Sequence, residues 1–355
     1  MSAILGIGLS HYPGLLVPSA NWPRMLKRGV EVGRIAPDLY AERTKWPQEM
    51  RAEWGADDGV GAARAHEKRL LDSFLVLRRE LDAFAPDVVL IWGDDQFENF
   101  RRDCVPAFCV YLFDELRCRP FGGGRRPFQT DESAWGLPPE TEIRVRGHRE
   151  AAGALCRHLL AHDFDVAYAT ETRSEAGLAH SFNNTIVYLD RERRGLDYPV
   201  LPFHVNCYGN QLLSGAGRNI DSAKSALEVS PPSPSPRRCF EIGRATARLF
   251  AGSPWRVALI ASSSWSHATL TAKHGRLYPD VAADRQLLRE LKEGGFTRWG
   301  ELPLGRIEDS GQHEVLNWIC LAGAMTELGL RARVVDFAES YLFNSSKCFA
   351  VFAPS

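Results

Sequence analysis

The stretch VVLIWGDDQFENF, residues 88–100, decides how this chain is read. It opens on an apolar run with the composition of a strand buried on both faces. It then breaks abruptly into Gly93, Asp94, Asp95, Gln96 and Glu98. A strand tip carrying that many side-chain oxygens is ordinarily a surface turn. It is also the place where α/β proteins put their ligands and chemistry.

Working outward, HEKRLLDSFLVLRRELDAF within residues 58–84 sets Leu70, Leu71, Phe74, Leu75, Leu77 and Leu81 mainly on one helical side, and Ala85, Pro86 and Asp87 lead into the strand. The same helix-then-strand unit recurs three times. GHREAAGALCRHLLAHD precedes VAYAT, CFEIGRATARLFAG precedes RVALIASSS, and HEVLNWICLAGAMTELG precedes RARVVDFAES. Residues 3–9, AILGIGL, form a first strand stopped by Ser10, His11, Tyr12, Pro13 and Gly14. The expected fold is α/β, a central mixed or parallel sheet flanked by helices. Gly/Pro/Ser-rich stretches at 115–142 and 213–237 read as long loops. Because the rhythm resumes beyond each of them, residues 1–355 read as a single domain.

Composition narrows the function. A chain of 355 residues with 45% hydrophobic and 25% charged residues can bury a large core. Its 43 basic and 44 acidic residues are well mixed and give a net charge of -1, which argues against nucleic acid or an acidic membrane as partner. The N-terminus has no signal-peptide pattern, and no apolar run reaches the ~18 residues of a membrane span. The cytoplasm is the expected location. The eight cysteines contain no CxxC pair and are expected to be reduced packing residues.

Four strands run into polar clusters holding acid/base or metal-capable side chains: GIGLSHYPG with His11, VVLIWGDDQ with Asp94, Asp95 and Gln96, EAGLAHSFNN with His180, and ALIASSSWSHATL with His267. Glu314, just before an apolar helix, is a fifth candidate. Each has an ordinary alternative: a loop or capping histidine, a turn aspartate, a first-turn acid favoured by the helix dipole. Imidazole and carboxylate ligands with open positions suit Fe(II) that must bind substrate and oxygen together. HExxH, P-loop and GxSxG motifs are absent, and GVGAAR at 59–64 follows no strand, so it is not a dinucleotide site.

In order along the chain, GIGLSHYPGL, VVLIWGDDQFENFRRDCVPAFCV, YPVLPFHVNCYGNQ, PSPRRCFEIGRATARLF, SSSWSH and HEVLNWICLAGAM resemble the LigB-type, or class III, extradiol ring-cleaving dioxygenases, with the protocatechuate 4,5-dioxygenase catalytic subunit as the example. The likeness runs roughly over residues 3–340. It implies a non-heme Fe(II) enzyme, or one using another divalent metal, that opens a catechol- or aminophenol-like ring with O2. His11 and Glu314 would be metal ligands, His180 the acid/base, and His267 a residue lining the site. The likeness departs at Gln96, which stands where relatives carry a histidine ligand, so Gln96, Asp94 or Asp95 would complete the set. Asn206 and Tyr208 could hold substrate or oxygen, while Arg237 and Arg238 could recognise a carboxylate or simply start a solvated helix. Relatives often pair their subunits, which allows a homodimer, and some need a small helical partner. Two alternatives stand: a metalloenzyme of this fold with an altered metal shell acting on a non-catechol substrate, or a metal-free, non-enzymatic homologue.

Overall fold

The computed structural model describes residues 3–101, 103–122, 128, 130–209 and 231–353. The chain opens with β1 (Ile4–Leu9), followed by α1 (Arg24–Glu31), α2 (Pro37–Ala41), α3 (Gln48–Trp54) and the long α4 (Val60–Phe84). Then come β2 (Val88–Gly93), β3 (Phe108–Tyr111), β4 (Glu115–Cys118), β5 (Ile143–Arg146), α5 (Arg149–Ala161), β6 (Ala167–Ala169), α6 (His180–Leu189) and β7 (Val200–Val205). The last part holds α7 (Pro236–Ala251), β8 (Val257–Ser262), α8 (Val281–Glu293), α9 (Leu304–Asp309), α10 (Val315–Leu328), β9 (Arg331–Ala338) and β10 (Lys347–Ala353).

The main sheet has eight strands in the order β6-β3-β7-β2-β8-β1-β10-β9. The inner strands β7, β2, β8 and β1 are parallel, whereas β3 runs antiparallel to β7 and β10 antiparallel to β1. The fold is therefore α/β with a mixed sheet flanked by helices in a single domain. β2 shows why its sequence is apolar without alternation. Val88, Leu90 and Trp92 face a core shared with α5, α7 and α10, while Val89 and Ile91 face a second core under α4 and α6. Both faces are covered, so both need apolar side chains.

Several elements carry weaker sequence signals than the repeating unit. β3 and β10 are short or terminal, and α1 to α3 are brief. The stretch expected as a loop at 115–142 begins with β4, which pairs antiparallel with β5 just beyond it, so an insertion is closed at its base by a small sheet. Of the second expected loop, 213–237, residues 213–230 lie outside the described residues, and Pro236 and Arg237 already belong to α7. Helices α7 and α10 approach through glycine. A Cβ on Gly243 would stand 1.8 Å from the Cys320 carbonyl oxygen, and one on Gly323 would stand 2.0 Å from that of Phe240. This contact fixes α10, and with it the residue just before its first turn, Glu314.

All eight cysteines are free thiols, and only Cys104 is exposed. Among the described residues, no helix is long and apolar enough to cross a membrane.

Candidate metal centre

The parallel register brings the strand ends to one edge: Leu9 lies beside Ser262, Trp92 beside Ala261, and Gly93 beside His204. The polar segments that follow β1, β2, β7 and β8 therefore emerge together, next to the start of α10. His11, two residues past β1, is held through Nδ1, which lies 3.0 Å from Ser262 Oγ and 3.2 Å from the Ser262 carbonyl. Ser262 Oγ is itself tied to the Ser181 carbonyl and to Thr185 Oγ1, so α6 braces the ring through that serine. Asn184 Nδ2 donates to the His11 carbonyl. With Nδ1 occupied, Nε2 faces Glu314 Oε2 at 3.6 Å.

Glu314 sits at the N-cap position of α10, yet its side chain makes no capping bond. It is 1% exposed and Asp94 is fully buried. Tyr208 OH donates to Glu314 Oε1, which also lies 3.6 Å from His267 Nε2. Gln96 Nε2 faces Tyr208 OH at 3.0 Å and Asp94 Oδ2 and Glu314 Oε1 at 3.4 Å each. Asp94 Oδ1 and Glu314 Oε2 have no hydrogen-bond partner. An orphaned carboxylate oxygen at such depth is costly unless a cation meets it. Ligand-capable atoms of His11, Asp94 and His180 lie within 4.8 Å of one another. Nitrogen and oxygen donors in this arrangement fit a divalent cation of intermediate hardness.

Electrostatics point the same way. Burial pushes the Glu314 carboxyl up to about 7, and burial together with the Glu314 charge raises Asp94 well above the usual carboxylate range. Burial, with the neighbouring His180 and His267 charges, holds His11 well below its ordinary value, as a neutral imidazole ligand requires. Burial also lowers His267 to about 4. His180 goes the other way. Burial opposes its charge, but Glu98, with Asp94 and Glu314 behind it, lifts the imidazole to about 10.

The structure thus brings together His11, Asp94, Gln96, His180, Tyr208, His267 and Glu314, and sets other candidates apart. Asp95 is a turn former and not a wall of the site. Its carboxylate accepts the backbone N–H groups of Glu98, Asn99 and Phe100, which occupies both oxygens. Gln96 meets the carboxylates with its amide nitrogen, a donor, and not with the oxygen a metal would need. Arg238 donates to the Asp163 carbonyl and lies over the Phe164 ring, and its backbone N–H is capped by Ser235, so it serves the start of α7. The exposed Arg237 beside it occupies the same first turn. Asn206, whose backbone N–H donates to the Ala107 carbonyl, follows β7 two residues before Tyr208, so it is not set apart by its place in the chain. Glu98, not singled out from the sequence as a site residue, is the direct partner of His180 at 2.8 Å. Its presence in the same acidic run as Asp94 was the available signal.

No family model matches the chain. It is similar to proteins named 2,3-dihydroxyphenylpropionate/2,3-dihydroxicinnamic acid 1,2-dioxygenase. The one from Burkholderia vietnamiensis is 25% identical over 304 residues, covering 73% of this chain and 82% of that protein. The one from Paraburkholderia phymatum is 25% identical over 306 residues, covering 74% and 82%. The one from Paraburkholderia xenovorans is 26% identical over 286 residues, covering 73% and 82%. Among solved structures, an uncharacterized protein from Escherichia coli K12 superposes with a TM-score of 0.47 at 12% identity, over 80% of this chain and 92% of that one. The similarity is thus to proteins named as dioxygenases, under a dihydroxyphenylpropionate name and not the protocatechuate 4,5-dioxygenase name suggested by the motifs.

Proposed function

We propose that this protein is a non-heme Fe(II)-dependent extradiol dioxygenase that opens the ring of a catechol- or aminophenol-like aromatic substrate with O2. The observation that carries this reading is the convergence of His11 with two buried carboxylates, each holding an unpartnered oxygen, beside the His180–Glu98 pair. The names of the similar proteins support the substrate class. His11, Glu314 and Asp94 would hold the metal, which when bound supplies the activation of O2 and of two adjacent substrate oxygens. Another divalent ion could occupy the same donors.

The remaining steps belong to the chain's own side chains. His180, which Glu98 holds as an imidazolium at neutral pH, gives its Nε2 proton to a reacting oxygen and recovers one from a substrate hydroxyl, while Glu98 holds Nδ1 and fixes the ring. Tyr208 and Gln96 keep the Glu314 and Asp94 carboxylates in place by donating to them. His267, held neutral by burial, offers a wall against the reacting oxygens. In this reading the chain acts as one catalytic domain in the cytoplasm, as a monomer or a homodimer, with a small aromatic molecule and O2 as its partners.

Anaerobic reconstitution with Fe(II), followed by metal analysis and oxygen uptake with a panel of catechols and aminophenols, tests the proposal. Bound iron with uptake on at least one catechol is the expected result. Absence of both iron and uptake would sink it. A second reading, a metalloenzyme of this fold acting on a non-catechol substrate, is favoured by Gln96 standing where a histidine ligand is expected. Iron binding without uptake on any member of the panel would select it.

A further inference from the structure

A separate pocket lies between α1 with its following turn and the segment after His267. It is a cavity of about 30 Å³, whose lining includes the aliphatic Leu26, Ile35, Leu277 and Leu342 and the polar Arg34, Arg276, Thr269 and Asn344. The lining contains no carboxylate. Arg34 Nε is buried without a hydrogen-bond partner. The charges that act on its guanidinium are those of Arg276 and Arg28, both positive, and together with burial they lower its proton affinity. Arg78 shows what this chain does with an arginine it merely needs to bury: it supplies Asp82 and Asp190 as counterions.

The nitrogen-bearing side chains around the cavity are donors. Asn344 Oδ1 already accepts the Thr269 backbone N–H, so what Asn344 has left to offer is its amide N–H2. Arg276 and Asn344 both hold left-handed backbone at φ 59 and 63, a conformation that non-glycine residues adopt at some cost and that recurs at ligand sites. The Arg34 guanidinium, with its unpartnered Nε, a second guanidinium nearby and an added amide donor, suits an anion, and arginine forks match a carboxylate in two-point geometry. The aliphatic part of the lining sets the rest. A strongly hydrated inorganic anion gains nothing from it, whereas an apolar body attached to the anion does. The cavity itself admits a head group and leaves the body to lie along the opening.

We propose that this pocket binds a small organic carboxylate, with the head group between Arg34 and Arg276 and an apolar body against Leu26, Ile35 and Leu342. The proposal is independent of the metal-centre reading. It is tested by calorimetric titration of the full-length protein with hexanoate, with 1-hexanol and sulfate as controls. Hexanoate should bind at one site, more tightly than either control. Arg34→Gln and Arg276→Gln, each checked for native circular dichroism, should weaken it about tenfold or more, and Glu314→Gln should leave it unchanged. Unaltered hexanoate affinity in a folded Arg34→Gln variant overturns the proposal, as does sulfate binding equal to hexanoate. Loss of binding in Glu314→Gln with retention in both arginine variants would move the anion to the metal centre and overturn it too. Should Arg34→Gln fail to fold, Arg276→Gln carries the same test.

Discussion

Glu98 Oε2 lies 2.8 Å from His180 Nδ1, and the same carboxylate accepts the His180 backbone N–H at 3.1 and 3.2 Å. One acid from the β2 exit therefore fixes both the first residue of α6 and the orientation of its ring. Nε2 is left to face the site. Replacing Glu98 by Gln keeps a backbone acceptor but removes the charge that holds the imidazole. Turnover should fall about 10- to 100-fold, with a smaller change in KM, since the loss is of orientation and proton transfer and not of substrate contacts. Steady-state oxygen uptake reads both parameters. A raised KM at constant kcat would contradict the assignment.

The same pair makes a claim about stability. His180 is three-quarters buried, and its proton affinity rises from an ordinary 6.5 to about 10 on folding. Stability from this group is complete below about pH 6.5 and is lost as the pH rises through about 10. The buried Lys347, lowered by burial to about 7, has the opposite slope over much of this range, because its folded form gives up a proton that the unfolded chain keeps. The raw profile thus mixes the two. Comparing urea midpoints of the metal-free wild type and His180→Asn isolates the histidine. The wild-type advantage should shrink steadily from pH 6.5 to 10, and an advantage that grows would exclude the proposed charge pairing.

In the metal-free protein the carboxylates are a burden. Glu314, lifted to about 7 by burial, loses stability for the fold as the pH rises from its ordinary 4.5 through about 7. Glu314→Gln keeps an acceptor for the Tyr208 hydroxyl and removes the charge. It should stabilise the metal-free protein at pH 8 by about 1 kcal/mol while abolishing tight metal binding. Denaturant unfolding with and without added Fe(II) under anaerobic conditions checks both halves. An apoprotein less stable than wild type would mean that the carboxylate is structural.

The contrast between Glu314 and Asp95 shows how far the sequence could be read. The fold was legible because β2 and β8 are uninterrupted apolar runs preceded by amphipathic helices, and burial on both faces leaves that composition no other use. His11 and His267 were legible because each follows such a run. Asp94 and Asp95 could not be told apart, since adjacent residues leaving a strand point in different directions, and the direction depends on the turn through Asn99 and Phe100. Glu98 and Arg34 were hidden for a related reason. The groups they face lie 82 residues away for Glu98 and, for Arg34, across the space between α1 and the segment after His267. Nothing in local composition distinguishes either from a solvated charge.

Packing between α7 and α10 gives a prediction about the scaffold. A methyl group at Gly243 would sit 1.8 Å from the Cys320 carbonyl, and backbone cannot yield as a flexible side chain does. Gly243→Ala should cost about 1–3 kcal/mol or more and, because α10 carries Glu314 at its start, should weaken metal binding although the substituted residue touches no ligand. Thermal unfolding and metal titration of the same variant test the two consequences together. Full stability in this variant would show that the helices separate freely.

Gln96 supplies the most direct test of how the two buried carboxylates are held. Its amide nitrogen reaches Tyr208, Asp94 and Glu314 together, so its role is to hold two like-charged side chains near each other by donating to both. Gln96→Ala removes that clamp without altering a ligand, and Fe(II) affinity measured by competition with a chelating dye should drop about tenfold. Gln96→His restores an N–H donor or, with its other nitrogen, adds an imidazole ligand. Either outcome should return affinity to the wild-type level or above. If Gln96→Ala binds metal as well as the wild type, the amide is a bystander and the carboxylates are held by Tyr208 alone. If Gln96→His binds more weakly than Gln96→Ala, the space is shaped for a glutamine and does not accept an imidazole ligand.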